Sequence, residues 1–254
     1  MHTKKFIILT TQRTGSTWLV DMLNSHPEII TFSELFLENA WRDNPTWAGE
    51  RHILMRKAYF RKNKGMLKRL RPFSSFKYLQ YVYSLKDSAN AIGFKLMYNQ
   101  LWHFPEILLY LHFNRIYIVH LIRSNLLDVI VSKRAAFIRH SCHSFDKVAQ
   151  VRVTLDTFNL VKILKWSDRK IGFAKRLFAS SRLPYLEVEY EELRSKPSKL
   201  HDLLRFVGVN PQNHKLKTSL KKLNRGSHME IIANYERVRR TLKHTKYYPL
   251  LDQR

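Results

Sequence analysis

A single cysteine, Cys142, stands in a chain of 254 residues. No intrachain disulfide and no cysteine zinc cluster can be built, so the usual staples of small secreted domains are excluded. Glycine is scarce at 7 residues and the 8 prolines are scattered; no low-complexity linker divides the chain, and no internal repeat points to a solenoid. Long apolar runs are missing too. The segment from Ile107 to Ile122 is interrupted by His112, Asn114, Arg115 and His120, so nothing is long enough to span a bilayer. The N-terminal Met1-His2-Thr3-Lys4-Lys5 and the apolar run after it imitate a signal peptide, but the run breaks at Thr10 without a small-residue cleavage site. These absences predict a cytoplasmic protein with one compact domain, residues 1–254, whose 44% hydrophobic content suffices for a sizeable core.

Acidic residues are also few. Asp and Glu number 20 against 45 Lys and Arg, a formal net charge of +25, which favours polyanionic partners: nucleic acid, acidic glycans, a multiply phosphorylated cofactor or a peripheral contact with an anionic membrane surface. The densest basic run, Arg51 to Arg71, reads first as a solvated helix face with long basic stems over the core edge, with a face for an acidic partner as the alternative.

What is present begins with Phe6 to Trp18, an apolar strand running into a turn that carries Arg13, Thr14, Gly15, Ser16 and Thr17. A helix starting near Ser16 would aim its free N–H groups and positive dipole end at that turn, where an anion gains both hydrogen bonds and field. Gly15 lets the backbone approach an oxyanion, Ser16 and Thr17 add hydroxyl donors, and Arg13 adds an always-charged planar fork. The plainer account is a strand-turn-helix with a Ser or Thr cap. The turn is no Walker loop, having one glycine and no Lys.

Strands are predicted at Lys5 to Thr10, which is the one leading into that turn, and at Ala91 to Met97, Arg115 to Ile122 and Pro184 to Tyr190. Helices are predicted at Ser16 to Asn24, Leu126 to Arg139, Phe145 to Ser180 with an internal break, and Ser198 to Val207. This alternation argues for an α/β fold with a central parallel sheet flanked by helices on both faces and ligands at the carboxyl ends of the strands. A second anion-suited pair lies at another strand end, where Arg123 precedes a helix carrying Ser132 about two turns in. Its alternative is a sheet-edge arginine with a serine bonded to helix carbonyls.

Gln12-Arg13-Thr14-Gly15-Ser16-Thr17-Trp18 resembles the 5′-phosphosulfate loop of sulfotransferases that use 3′-phosphoadenosine 5′-phosphosulfate (PAPS), and Arg123 with Ser132 resembles their 3′-phosphate motif. Ile92 to Met97, Val188 to Leu193 and Leu203 to Val209 are similar, in the same order, to further segments of that family, so the resemblance covers nearly the whole chain. It is nearest to the bacterial carbohydrate branch, the nodulation-factor and trehalose types. The resemblance implies a P-loop-like three-layer fold and direct transfer to an acceptor hydroxyl on a carbohydrate or glycolipid, with PAPS as co-substrate and no metal. It also implies a phosphate-binding basic loop near the C-terminus, for which Lys221, Lys222 and Arg225 are the candidates. The aryl members have Lys where Arg13 stands, a spacing one residue shorter between the Arg and Ser of the second motif, and a catalytic histidine with no counterpart here. In the carbohydrate branch a carboxylate serves as base, and Glu34 holds the matching position; otherwise it would be a helix first-turn carboxylate behind a Ser33 cap. Lys95 either reaches the active site or snorkels to the sheet margin. Trp41, Trp47, Trp102, Phe73, Phe76 and Tyr78 are candidates for stacking on sugar faces.

Two other classes stay open on these residues. A P-loop-like nucleotide kinase would share the strand-loop-helix but needs a Walker Lys and a Mg²⁺-holding Asp. A basic nucleic-acid-binding protein would account for the charge but gives no reason for two ordered anion sites, and no specific nucleic-acid partner is expected.

Overall fold

The computed structural model describes residues 3–36, 71–85, 88–139, 151–212, 214–218, 220 and 226–252. The basic run over residues 51–70, Trp41, Trp47 and Cys142 lie outside them, as do Lys221, Lys222 and Arg225. The chain divides into two compact units, Met1–Ile122 with Phe178–Thr218, and Arg123–Leu177 with Ser219–Arg254.

The first unit holds a parallel sheet of strands β1 (Lys4–Thr10), β2 (Ile29–Glu34), β3 (Ala91–Met97), β4 (Tyr117–Ile122) and β5 (Tyr185–Glu189) in the order β2-β3-β1-β4-β5. Alternate residues of β1 face opposite ways because strand side chains have a period of two. Phe6 and Ile8 join Leu19 and Leu23 of helix α1 (Ser16–Asn24) and Leu203 and Val207 of Pro197–Val207 in one core. Ile7 and Leu9 join Tyr78 and Leu79 of α2 (Arg71–Ser84) and Ile107 and Leu111 of Glu106–Phe113 in another. The sheet is thus apolar on both faces, as a doubly covered parallel sheet must be. Phe6 pairs in register with Gly93, and a Cβ there would meet the Phe6 ring at 2.5 Å; the strand glycine is the seat of that ring.

Several elements depart from the sequence expectations. Ile29–Glu34 is a strand rather than a helix start: it pairs with β3, and a register shift between Phe32 and Glu34 brings Glu34 opposite Lys95. Two short helices, α3 (Tyr98–His103) and α4 (Glu106–Phe113), follow β3 directly. Of the helical stretch expected from Phe145 to Ser180, residues 145–150 lie outside the described ones, 151–159 are not helical, and a helix runs over Leu160–Ala179. Just before it Asp156 accepts from the N–H of Phe158 at 3.0 Å and from Asn159 Nδ2 at 2.7 Å, folding the turn that leads into the helix. The second unit contains α5 (Leu126–Arg139) and, as far as Leu177, α6 (Leu160–Ala179). Its core gathers Leu127, Val131, Leu164, Ile231, Val238 and Leu242. Among the described residues no helix is long and apolar enough to cross a membrane.

Candidate active site

β1 is the middle strand of the sheet, so the turn that leaves its carboxyl end lies between the ends of β3 and β4. The Thr10 hydroxyl donates to the Leu121 carbonyl at 2.9 Å and contacts the Thr14 hydroxyl, which donates to the Thr11 carbonyl at 2.9 Å. The Thr14 hydroxyl thus braces the turn. Arg13 takes a positive φ of 67° and Gly15 one of 86°. Left-handed backbone in a non-glycine residue costs energy that surrounding structure must offset, and it concentrates at functional turns. At Gly15 the requirement is double, because a Cβ would meet the Tyr190 ring at 2.3 Å. Gly15 is the N-cap of α1, and no side-chain hydrogen bond caps that helix; a helix start of this kind can accept an anion. Ser16 is buried, Thr17 is half-buried, and Trp18 packs edge-on against Tyr190 at 5.5 Å between centroids.

Beside this helix start lies a charged cluster. Lys95, at 2% exposure the deepest charged group of the sheet's carboxyl edge, places Nζ 2.9 Å from Glu34 Oε1 and 3.4 Å from Thr17 Oγ1. Gln100 of α3 accepts from the Met97 N–H at 3.0 Å, which fixes its amide so that Nε2 donates to Glu34 Oε2 at 3.2 Å. Both carboxylate oxygens are thus oriented. Lys95 does not snorkel: its strand end delivers it to Glu34 and to the loop helix. The Gln100 contact was invisible in sequence, because it needs the short helix after β3 to turn back toward β2.

A second network shares α3. His120, fully buried on β4, meets the Tyr98 hydroxyl through Nε2 and the Tyr185 hydroxyl through Nδ1 at 2.6 Å, while Tyr185 donates to Glu187 at 3.3 Å. Since the Tyr185 proton goes to the carboxylate, its oxygen accepts Nδ1–H, and Nε2 accepts from Tyr98. Burial, with Tyr185 and Glu187 next in weight, pushes the Tyr98 hydroxyl well above its usual range; burial and then Glu187 do the same to Tyr185. Both phenols stay protonated donors, and α3 is pinned through Tyr98 on one side and Gln100 on the other.

A sulfotransferase family model matches residues 6–213, which include the β1 loop, Glu34 and Lys95. The chain belongs to the sulfotransferase family. It is also similar to a crystal structure of a sulfotransferase from Alicyclobacillus acidocaldarius, with 15% identity over 87% of each chain and a TM-score of 0.47. A sulfotransferase domain from the curacin biosynthetic pathway aligns at 19% identity over 100% of this chain and 90% of the other, TM-score 0.46. No curated protein matches.

In the second unit of this sulfotransferase, Arg123 is buried at 8% exposure and its guanidinium donates to Asp128 at 2.6 Å. Asp128 in turn meets His228 Nε2 at 3.0 Å, and His228 Nδ1 lies 3.0 Å from the Leu251 carbonyl. Sequence reasoning missed Asp128 and His228, which stand 100 residues apart. Ser132 is half-buried on the same helix, α5. Of the aromatic candidates, Tyr78 is fully buried and Phe76 packs on Tyr110 at 5.4 Å, so both are core; Phe73 at 62% and Trp102 at 87% are exposed.

Proposed function

We propose that this sulfotransferase moves the sulfuryl group of PAPS to a hydroxyl of a carbohydrate or glycolipid, with residues 1–254 acting as one domain. The observation that carries this reading is the Lys95 bridge, which puts a carboxylate and an ammonium beside the uncapped start of α1. The cradle fits the 5′ end of PAPS: it offers a helix start, an Arg and a glycine whose Cβ has no room.

In-line transfer breaks the bond between sulfur and the leaving phosphate oxygen and forms one between sulfur and the acceptor oxygen. Charge grows on the leaving oxygen, where Arg13 and the first N–H groups of α1 stabilise it. Glu34 takes the proton of the acceptor hydroxyl. As its charge is neutralised, the Lys95 ammonium loses its ion-pair partner and turns its field toward the anion at Thr17. Arg123 and Ser132 are assigned to the 3′-phosphate by resemblance. The basic residues Lys221, Lys222 and Arg225 are assigned there on the same ground.

A carbohydrate acceptor is supported by Trp102, an exposed indole on the helix that also carries Gln100 to the base; flat aromatic faces suit sugar rings. Incubation with sulfur-labelled PAPS and panels of glycans, glycolipids, phenols and sterols tests the assignment. Label is expected on the carbohydrate panel, and label on phenols alone would overturn it.

A further inference from the structure

Helix α6 has two apolar faces, and its own unit covers one. Leu160, Leu164 and Ala174 are buried, with Ile171 packed against the same core. Ile163 at 41%, Trp166 at 58%, Phe173 at 62% and Leu177 at 37% are exposed. Their spacings of three, seven and four place them in one stripe along the helix, about 21 Å long at 1.5 Å per residue. Lys170 completes the stripe, its Nζ 4.9 Å from the centre of the Trp166 ring. Lys162, Lys165 and Arg169 form an exposed row along the side of the stripe away from the core. The helix contains one acid, Asp168, which is engaged by Lys246 and Tyr247.

We propose that this face of α6 docks on the surface of an anionic lipid bilayer. A helix lying in the interface plane needs Trp, Phe and aliphatic side chains on one strip and Lys or Arg beside it, which is the arrangement here. The charge complementarity is local as well as global, in a chain of net charge +25. A nucleic acid would engage the lysines yet leave Ile163, Phe173 and Leu177 in water. An acyl boundary covers them while phosphate headgroups meet Lys162, Lys165 and Arg169. The core-facing side chains hold the helix in place, so docking requires no unfolding.

Co-sedimentation of the full chain with vesicles tests this. Binding is expected to phosphatidylcholine vesicles containing phosphatidylglycerol and not to phosphatidylcholine alone. The exposed-site variant Trp166→Ser/Phe173→Ser, with its fold checked by circular dichroism, is expected to bind at least about tenfold more weakly, and Lys162→Glu/Lys165→Glu/Arg169→Glu to lose binding. On the unaltered chain, tryptophan emission is expected to be quenched by lipids brominated along the acyl chain, and Trp166→Phe to remove most of that quenching. Equal binding by parent and stripe variant, absence of quenching, or retention of the chain on DNA or an acidic protein without vesicle binding would each overturn the proposal.

Discussion

Removing the Lys95 ammonium leaves the Glu34 carboxylate, whose side chain is 18% exposed, with the Gln100 amide as its partner among the described residues. Breaking such a pair from one side costs more than the pair contributes, because the remaining charge stays desolvated. Lys95→Met is therefore expected to lower stability by about 2 kcal/mol, below the fully buried range because Glu34 keeps some exposure. Adding Glu34→Gln should recover most of that loss; additive losses in denaturant titrations would show that the two residues do not interact. Glu34→Gln alone keeps the shape and the Gln100 contact but cannot take a proton. Its kcat should fall by about 10² to 10⁴ with the KM for PAPS nearly unchanged. Transfer at close to the parent rate would remove Glu34 from the base role. Glu34 and Arg13 were legible as isolated residues, while the Lys95 bridge was only half so: the sequence shows a Lys at a strand end, and only the β2 register shift brings a carboxylate to it.

The connection between α1 and β2 sets where Glu34 ends up. Asn24 clasps Thr31 twice, donating to its carbonyl at 2.8 Å and accepting from its N–H at 2.7 Å, and the buried His26 accepts the Glu28 N–H through Nδ1. Burial is the main cause that holds His26 below its ordinary value of 6.5, the Glu28 charge opposing it and His214 adding to it. The unfolded chain then binds the proton more readily than the folded one. Stability present above the unfolded-state value is lost as pH falls through it toward the folded value. His26→Asn keeps an acceptor for the Glu28 N–H, as in an Asx turn, and cannot titrate. It should flatten the fall in melting temperature between about pH 7.5 and about pH 5.5; an unchanged pH slope would contradict this. Elements with strong periodicity, such as Ser16–Asn24 and Leu126–Arg139, were readable to the residue. β2 was not, since its polar end, Ser33-Glu34, imitates a helix cap, and the Asp128–His228 contact spans too much chain for any local pattern to announce it.

At the scale of the molecule, family membership and the α/β architecture agree with the order of motifs along the chain, and the family match runs through both units. The net charge of +25 concentrates anions near the surface and speeds their capture at low salt, without choosing among them. The proposed choice of PAPS rests on the loop after β1, which lacks a Walker Lys and leads into the helix whose Thr17 meets Lys95, itself paired with Glu34. A melting-temperature comparison of the protein alone, with PAPS, with adenosine 3′,5′-bisphosphate and with ATP plus Mg²⁺ tests that choice most directly. At ligand about a hundredfold above Kd, binding adds about 2.7 kcal/mol of stability. The account predicts that shift for PAPS and its desulfated product and little for ATP with Mg²⁺. Stabilisation by ATP with Mg²⁺ and none by PAPS would contradict it.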